Sequence, residues 1–284
     1  MTAVKNTPYP RPPAEVAAVP PRQLIVTIFG LYARTERDWL PVAAVVRLMA
    51  ELEVDSQAVR SSISRLKRRD ALHSVNVAGV AGYALSPSML EVMADGDRRI
   101  FDQEQPSLAD GWVQVVFTVP EAERGKRHEL RSRLARLGFG PVAPGVWLAP
   151  GRLAGEAREV LARRQLSGYV DIFRSDYLGY AELPDRVRDW WDLADLAERY
   201  GQFLACYRPV RQRLELHPPS DGEAFAEYVR MLTGWRRLRY LDPGLPAEVL
   251  PRGWDGAPAA ELFAELNEWL RPAAQRHATA VIDA

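Results

Sequence analysis

Residues 55–70 read Asp-Ser-Gln-Ala-Val-Arg-Ser-Ser-Ile-Ser-Arg-Leu-Lys-Arg-Arg-Asp. On a helix, Val59, Ile63 and Leu66 would lie along one line, because residues three or four apart share a face. The opposite face would be polar and basic. Short hydrogen-bonding side chains can approach base edges, and arginines can reach phosphates or guanine. The pattern indicates a DNA recognition helix whose contact residues are Ser56, Gln57, Arg60, Ser61, Ser64, Arg65, Lys67, Arg68 and Arg69.

The flanking sequence predicts the partners of this helix. A densely apolar run from Pro21 to Tyr32 predicts a first helix, and Pro41 opens a second one that continues to Leu52. Asp55 or Ser56 can cap the third helix. Behind it, residues 72–77 alternate, 79–82 turn and 83–85 return, which predicts a short hairpin. Three helices followed by a hairpin predict a winged helix-turn-helix over residues 22–88.

Beyond the hairpin, the pattern of apolar and polar residues predicts two further regions of different secondary structure. Residues 111–180 predict strand, helix, strand, helix and strand, with a short extended piece at 139–142, which fits a ferredoxin-like α+β domain. From residue 185 onward the pattern is helical. We therefore predict an α+β multidomain chain with a disordered N-terminal segment (1–21), the winged helix (22–88), a linker helix (89–110), the ferredoxin-like domain (111–180) and a helical C-terminal domain (181–284).

Composition narrows the class of protein. The chain has 284 residues, 47% of them hydrophobic, and 37 basic residues balance 37 acidic ones. No apolar run is long enough to span a membrane, and the proline-rich N-terminus lacks the apolar core of a signal peptide, so we expect a cytoplasmic protein. Basic residues outnumber acidic ones nine to six in residues 22–90, which has the sign expected for DNA binding. The single cysteine, Cys206, is expected to be a small buried hydrophobe.

Catalytic patterns are weak. The four histidines, His73, His128, His217 and His277, are scattered along the chain. The sequence contains neither a phosphate-binding loop nor the Gly-x-Ser-x-Gly or His-Glu-x-x-His patterns. We therefore expect no catalytic residues, no metal site and no cofactor. A metal-dependent nucleic-acid-processing enzyme remains the less favoured alternative, because ferredoxin-like cores also occur in such enzymes.

Several motifs together resemble the PaaX family of bacterial transcriptional regulators, the repressors of phenylacetic acid degradation. The resemblance covers residues 22 to about 270, and its most specific part is Asp242-Pro-Gly-Leu-Pro-Ala-Glu-Val-Leu-Pro251, followed by Trp254-Asp-Gly256 and Leu262-Phe263. Earlier matches are Thr27-Ile-Phe-Gly30, Val59-Arg60, Ser64-Arg-Leu66, Gly111-Trp112, Phe117-Thr-Val-Pro120 and Leu137-Gly-Phe-Gly140.

The resemblance implies a homodimer that binds a palindromic DNA operator, represses aromatic catabolic genes and is released by an aromatic acyl-CoA such as phenylacetyl-CoA. It also implies that the central domain helps the chains to dimerise. Two positions depart from the family pattern. Glu53 replaces the usual small residue in the turn before the third helix, and the wing tip, residues 78–82, lacks the arginines of many relatives.

The effector site is predicted from residue chemistry in the last domain. Aromatic side chains can line a pocket for an aromatic acyl group, and clustered arginines suit the phosphates of CoA. The candidates are Trp235, Arg236, Arg237, Arg239 and Trp254. A transcriptional activator with a different effector would share these residues, so the sequence leaves repressor and activator open.

Overall fold

The computed structural model describes residues 19–34, 37–101 and 106–284. Helices and antiparallel strands alternate along these residues, so the α+β class is confirmed. Most of the N-terminal segment that we predicted to be disordered, residues 1–18, lies outside the described residues. No helix within the described ranges is long and apolar enough to cross a membrane.

Three helices and a small sheet form the N-terminal region. The helices are α1 (Pro21–Tyr32), α2 (Val42–Glu51) and α3 (Ser56–Arg68). Strands β1 (Trp39–Pro41), β2 (Leu72–Val77) and β3 (Val80–Leu85) form an antiparallel sheet in the order β1-β3-β2. The three helices and the hairpin lie where the sequence predicts them, whereas β1 was not predicted. The helices bury one face each, through Leu24, Ile25, Ile28, Phe29, Val45, Leu48, Met49, Val59, Ile63 and Leu66.

The turn of the hairpin differs from the prediction. It consists of Ala78 and Gly79, both with positive φ (50° and 85°), which is the conformation of a two-residue type I′ turn. The side chain of Asn76 accepts from the Gly79 N–H at 3.0 Å and stabilises it. Gly82, which we predicted to lie in the turn, is paired within β3 opposite Pro41 and Val75. A Cβ at this position would lie 2.6 Å from the Leu40 carbonyl oxygen, so only glycine fits.

Helix α4 (Pro87–Phe101) leads to a four-stranded sheet. Strands β4 (Trp112–Phe117), β5 (Gly140–Ala143), β6 (Val146–Pro150) and β7 (Val170–Ser175) are antiparallel in the order β5-β6-β4-β7. Helix α5 (Arg124–Arg136) follows β4, and α6 (Ala154–Arg163) follows β6. The short extended piece predicted near residue 140 is the strand β5. Buried side chains from the sheet, α5 and α6 form one core, which includes Val113, Val115, Leu130, Leu134, Ala157 and Leu161.

Four helices complete the chain: α7 (Leu183–Trp190), α8 (Leu193–Leu216), α9 (Asp221–Leu241) and α10 (Gly256–Asp283). The helical nature of residues 185 onward is confirmed, and α10 extends six residues beyond the His277 end that we predicted.

The chain divides into two compact units. Among the described residues, one unit contains those from 19 to Met93 together with Gln202–Gly234 and Glu261–Ala284. The other contains those from Ala94 to Gly201 together with Trp235–Ala260. Each unit combines parts of the chain that are distant in sequence, so the two units do not test the boundaries of the continuous segments, which remain predictions.

Candidate nucleic-acid interface

Helix α3 begins at a side-chain cap. The Asp55 carboxylate accepts from the backbone N–H groups of Gln57 and Ala58, each at 2.9 Å. These groups have no partner inside the helix, and a negative charge at a helix N-terminus is also favoured by the helix dipole. Of the two predicted caps, Asp55 is the one that forms. Glu53 precedes it with a φ of 63°, a conformation that residues other than glycine rarely adopt.

The two faces of α3 separate as the sequence predicts. Val59, Ile63 and Leu66 are buried, and Ser62 is buried beside them. The remaining polar residues face outward. All nine predicted contact residues are exposed: Ser56, Gln57, Arg60, Ser61, Ser64, Arg65, Lys67, Arg68 and Arg69. We call these nine residues the α3 face.

The basic groups of the α3 face lack acidic partners. Arg60 donates to the Ser56 hydroxyl at 3.0 Å, one turn earlier on the same helix. Arg65, Arg68 and Arg69 make no side-chain hydrogen bond or ion pair with the described residues. Three guanidinium groups are therefore available to an anionic partner, and each carries five donors in a fixed planar arrangement.

Lys67 differs from its neighbours on the α3 face. Its ammonium group donates to the Ser74 hydroxyl of β2 at 2.7 Å and lies 5.9 Å from the centre of the Tyr83 ring of β3. Lys67 therefore ties α3 to the hairpin. Sequence analysis missed this contact, because residues 67, 74 and 83 show no shared periodicity.

The hairpin tip is apolar. Val77 and Val80, which flank the turn and pair with each other, are 41% and 47% exposed. Val77 ends the alternating run of residues 72–77 in β2, whereas Val80 begins β3 and does not belong to that run.

Polar contacts join the N-terminal helices to the last two helices within the same unit. The hydroxyls of Thr27 and Thr233 lie 2.8 Å apart in a buried position between α1 and α9. Glu51, at the end of α2, contacts His277 of α10 at 2.5 Å, and Arg47 donates to the Val281 carbonyl at 2.7 Å. The helix preceding α3 is thus held directly by α10.

The residues predicted for the effector site are mostly engaged in internal packing. Trp235 is buried and donates its indole N–H to the Ile100 carbonyl at 3.0 Å. Arg239 donates to the Arg99 carbonyl at 2.7 Å and to the Asp242 carboxylate at 3.1 Å. Its guanidinium lies over the Trp235 ring.

The other three candidates are spread around this packing. The half-buried Trp254 meets the ring of Tyr200 edge-on at 5.8 Å, and Tyr200 in turn contacts the Trp235 ring. Arg236 is half-buried and Arg237 is exposed. The structure therefore brings Trp235 and Arg239 into contact, and the Tyr200 ring lies between Trp235 and Trp254. Of the three arginines, only Arg237 is classed as exposed to solvent.

Within the described ranges, no three histidine, cysteine or carboxylate side chains come close enough to hold a metal ion. Cys206 is buried, as predicted. Burial and the nearby Glu227 carboxylate raise the pKa of its thiol to about 11.

Comparisons with known proteins give one consistent result. Three models of one family match consecutive parts of the chain: PaaX-like protein at residues 20–89, PaaX protein central Cas2-like domain at 105–187, and PaaX-like protein C-terminal domain at 191–280. The chain is 26% identical over 261 residues to the Transcriptional repressor PaaX of Escherichia coli (strain K12), covering 88% of this chain and 80% of that protein.

A solved structure shares the fold. It is an uncharacterized protein from Mycobacterium tuberculosis, 21% identical, with a TM-score of 0.58 over 93% of this chain and 99% of that one. At this level of identity the likeness concerns the fold alone.

Proposed function

Because the chain belongs to the PaaX family, whose three models span it almost from end to end, we propose that it is a transcriptional repressor that binds DNA through the α3 face. Its homology is to a regulator and not to an enzyme. We place its site of action in the cytoplasm, where bacterial DNA is found. The observation that carries the proposal is the α3 face itself, which is polar, exposed and rich in unpaired guanidinium groups on a capped helix.

In this proposal, α1 to α3 and the β2–β3 hairpin act as a winged helix-turn-helix. Helix α3 enters the major groove, which is wide enough for an α-helix. Gln57, Ser61 and Ser64 hydrogen-bond to base edges, whereas the arginines contact phosphates or guanine. Each phosphate that an arginine neutralises adds about 0.9 to the salt slope of binding. The hairpin has no basic residue at its tip, so the phosphate contacts come from α3.

The proposed assembly is a homodimer on a palindromic operator. Two-fold symmetry would place two α3 helices in successive major grooves, roughly one helical turn apart. We assign dimerisation to the region formed by strands β4 to β7 and helices α5 and α6. Its β-α-β-β-α-β order is that of a ferredoxin-like fold. The position of β7 at the edge of the sheet and the apolar Phe173 on this strand, 52% exposed, support this assignment.

The proposed signal is an aromatic acyl-CoA, such as phenylacetyl-CoA, and the proposed targets are genes of aromatic catabolism. Release from DNA requires that the effector bind the DNA-free state more tightly. A 100-fold preference would supply about 2.7 kcal/mol of coupling. A displacement of α10 would be transmitted to α3 through α2, because α2 is hydrogen-bonded to α10 and packs against α3.

The decisive experiment uses a duplex that the wild-type protein selects from a random-sequence library. Arg60→Ala combined with Arg68→Ala should weaken its binding at least about 30-fold in a gel shift, since two contacts of roughly 1–3 kcal/mol are lost. The matched control removes two exposed arginines from α5 and α6, Arg131→Ala with Arg158→Ala, and should bind as the wild type does.

Two results would refute the proposal. One is unchanged retention by the α3 variant, and the other is equal weakening by the control. Expression of a reporter behind the selected sequence, with and without the gene, separates a repressor from an activator. A cleavage assay with divalent metal ions would reveal a nucleic-acid-processing enzyme.

A further inference from the structure

Helices α5 and α6 carry a large excess of positive charge. Basic residues outnumber acidic ones ten to three in residues 124–164, although the two kinds balance in the chain as a whole. This excess is larger than that of residues 22–90, which contain α3. Several arginines of these two helices and their ends make no side-chain hydrogen bond or ion pair within the part of the chain that the structure describes: Arg124, Arg131, Arg133, Arg136, Arg158 and Arg164.

Three of these arginines lie close together, and we call Arg133, Arg136 and Arg164 the Arg133 cluster. Arg133 and Arg136 are three positions apart in the last turn of α5, so their side chains are neighbours. Arg164 follows the last turn of α6 and lies near enough to Arg133 for the two charges to interact. Burial lowers the pKa of the Arg133 guanidinium, and the charges of Arg164 and Arg136 lower this pKa further. The three cations therefore repel one another, and an anion between them would relieve the repulsion.

The usual structural role of an arginine at a helix end is already filled by another residue. Cations near a helix C-terminus bind its last carbonyls and interact favourably with the helix dipole. Here the carbonyls of Arg136 and Leu137 accept from the Arg99 guanidinium, each at 2.8 Å. The one carboxylate whose charge acts on Arg133, that of Glu129, lies 3.6 Å from the Lys126 ammonium group. The side chains of the Arg133 cluster are thus left for an external partner.

The surroundings of the Arg133 cluster favour phosphate groups as this partner. Protein–protein interfaces are anchored by large apolar or aromatic side chains. Within the described ranges, none of the large apolar side chains that are exposed belongs to α5 or α6. Surfaces that bind DNA are more polar and much more positively charged, and guanidinium groups donate in pairs to phosphate oxygens.

We propose that the Arg133 cluster binds the phosphate backbone of double-stranded DNA, independently of base sequence, as a contact additional to the α3 face. The choice of DNA as the carrier of the phosphates rests on the proposed function. A duplex that is already held by the α3 face is present at a high effective concentration, so a second contact contributes even if it is weak by itself. Phosphate contacts carry no sequence information, so the Arg133 cluster adds affinity and no preference for one duplex over another.

The other arginines of these helices provide a matched control. Arg131 is two positions from Arg133 and lies on nearly the opposite side of α5, and Arg124, seven positions before Arg131, shares its side. Arg158 lies with Ala162 on the side of α6 that borders β7. Replacing Arg124, Arg131 and Arg158 by alanine therefore removes the same charge from the same two helices but leaves the Arg133 cluster intact.

The test is fluorescence anisotropy of the full chain on two duplexes of equal length, one with the selected sequence and one without it. The cluster variant combines Arg133→Ala, Arg136→Ala and Arg164→Ala. Because each lost phosphate contact removes about 0.9 from the salt slope, this variant should lower the slope by about 2–3 between roughly 50 and 200 mM salt. It should also weaken binding to both duplexes at least about tenfold at the lower salt, whereas the control variant stays within about threefold of the wild type.

A second variant keeps the test decisive if the triple replacement unfolds the protein, which thermal unfolding would reveal. Arg136→Ala with Arg164→Ala changes only exposed side chains and leaves the half-buried Arg133 in place. It should lower the salt slope by about 1–2.

Three outcomes would overturn the proposal. They are an unchanged salt slope in the cluster variants, equal weakening by the cluster and control variants, and a loss of binding to polyglutamate with duplex binding unchanged. The last outcome would assign the Arg133 cluster to an acidic protein segment.

The ratio of the affinities for the two duplexes separates this proposal from the proposed function. If Arg60→Ala with Arg68→Ala abolishes the preference for the selected duplex while the cluster variant binds as the wild type does, only the Arg133 cluster is wrongly assigned. If that α3 variant keeps the preference while the cluster variant weakens both duplexes, only the α3 face is wrongly assigned.

Discussion

Asp55 shows how a single side chain determines where α3 begins. It accepts from two backbone N–H groups that would otherwise have no partner in the helix. We expect Asp55→Ala to lower the free energy of unfolding by about 1 kcal/mol, within the usual 0.5–2 kcal/mol for such caps. Urea unfolding measures the change. Asp55→Ser keeps an acceptor and should recover most of the loss, and a failure of serine to do so would show that the cap is not the cause.

Glu53 has a positive φ, which is strained for any residue with a Cβ. Glu53→Gly should raise the free energy of unfolding by up to about 1 kcal/mol. Ala50→Gly, three residues earlier in α2, is the matched control and should lower it by about 1 kcal/mol, since glycine is unfavourable inside a helix. Equal losses from both variants would contradict this account of the turn.

Single residues were predictable where the helical period applies. The buried set Val59, Ile63 and Leu66 and the exposed α3 face follow from spacing alone. Spacing could not reveal that Trp235 and Arg239 are used for internal hydrogen bonds, because an arginine that binds a backbone carbonyl and one that binds a phosphate look identical in sequence.

At the scale of elements, the hairpin and α3 are coupled through Lys67. Lys67→Ala should therefore increase hydrogen–deuterium exchange at the amides of residues 72–85. Arg68→Ala removes the same charge from the next position, whose side chain makes no hydrogen bond, ion pair or ring contact with the described part of the hairpin, and should leave exchange unchanged. Similar exchange in both variants would show that Lys67 does not hold the hairpin.

Strand β1 depends on the absence of a side chain at Gly82. A Cβ there would lie 2.6 Å from the Leu40 carbonyl oxygen and 2.4 Å from the Trp39 ring. Gly82→Ala should therefore disrupt the β1–β3 pairing and lower the free energy of unfolding by about 2 kcal/mol or more. Ala81→Ser, on the exposed side of the same strand, should stay within about 0.5 kcal/mol of the wild type. A mild effect of Gly82→Ala on thermal unfolding would contradict the close packing.

Elements with a clear period were predicted, whereas the three-residue strand β1 was not. Helices α1 to α3 and strands β2 to β4 carry enough residues to show a pattern, whereas β1 has only three residues and ends in proline. The predicted turn, residues 79–82, extends beyond the observed turn at Ala78 and Gly79. Gly79 and Gly82 both suit a turn by sequence, and only the pairing of β1 with Gly82 shows that Gly82 lies in a strand.

For the whole molecule, the sequence reveals the succession of segments but not how distant segments combine. Residues 202–234 and 261–284 belong to the same compact unit as the described residues from 19 to Met93. The buried Thr27–Thr233 contact joins positions 206 residues apart, and neither threonine stands out in sequence. Such pairings arise from the packing of complete helices, which no local pattern encodes.

The proposed assembly makes a prediction about stoichiometry. A dimer on a palindrome should place two chains on each selected duplex, and a duplex cut to one half-site should bind far more weakly. Mass photometry of the complex measures the number of chains. One chain per full-length duplex would contradict the symmetric arrangement.

The central claim is that the α3 face lies against the bases, and a tethered cleavage reagent tests it most directly. Cys206 is buried with a raised thiol pKa, so a cysteine introduced at the exposed Ser61 can be labelled selectively with iron–EDTA. On the selected duplex, labelled Ser61→Cys should cut in two clusters about one helical turn apart. Labelled Ala162→Cys, on α6, serves as the reference. Cutting from position 61 that is absent, or no stronger than from position 162, would contradict the account.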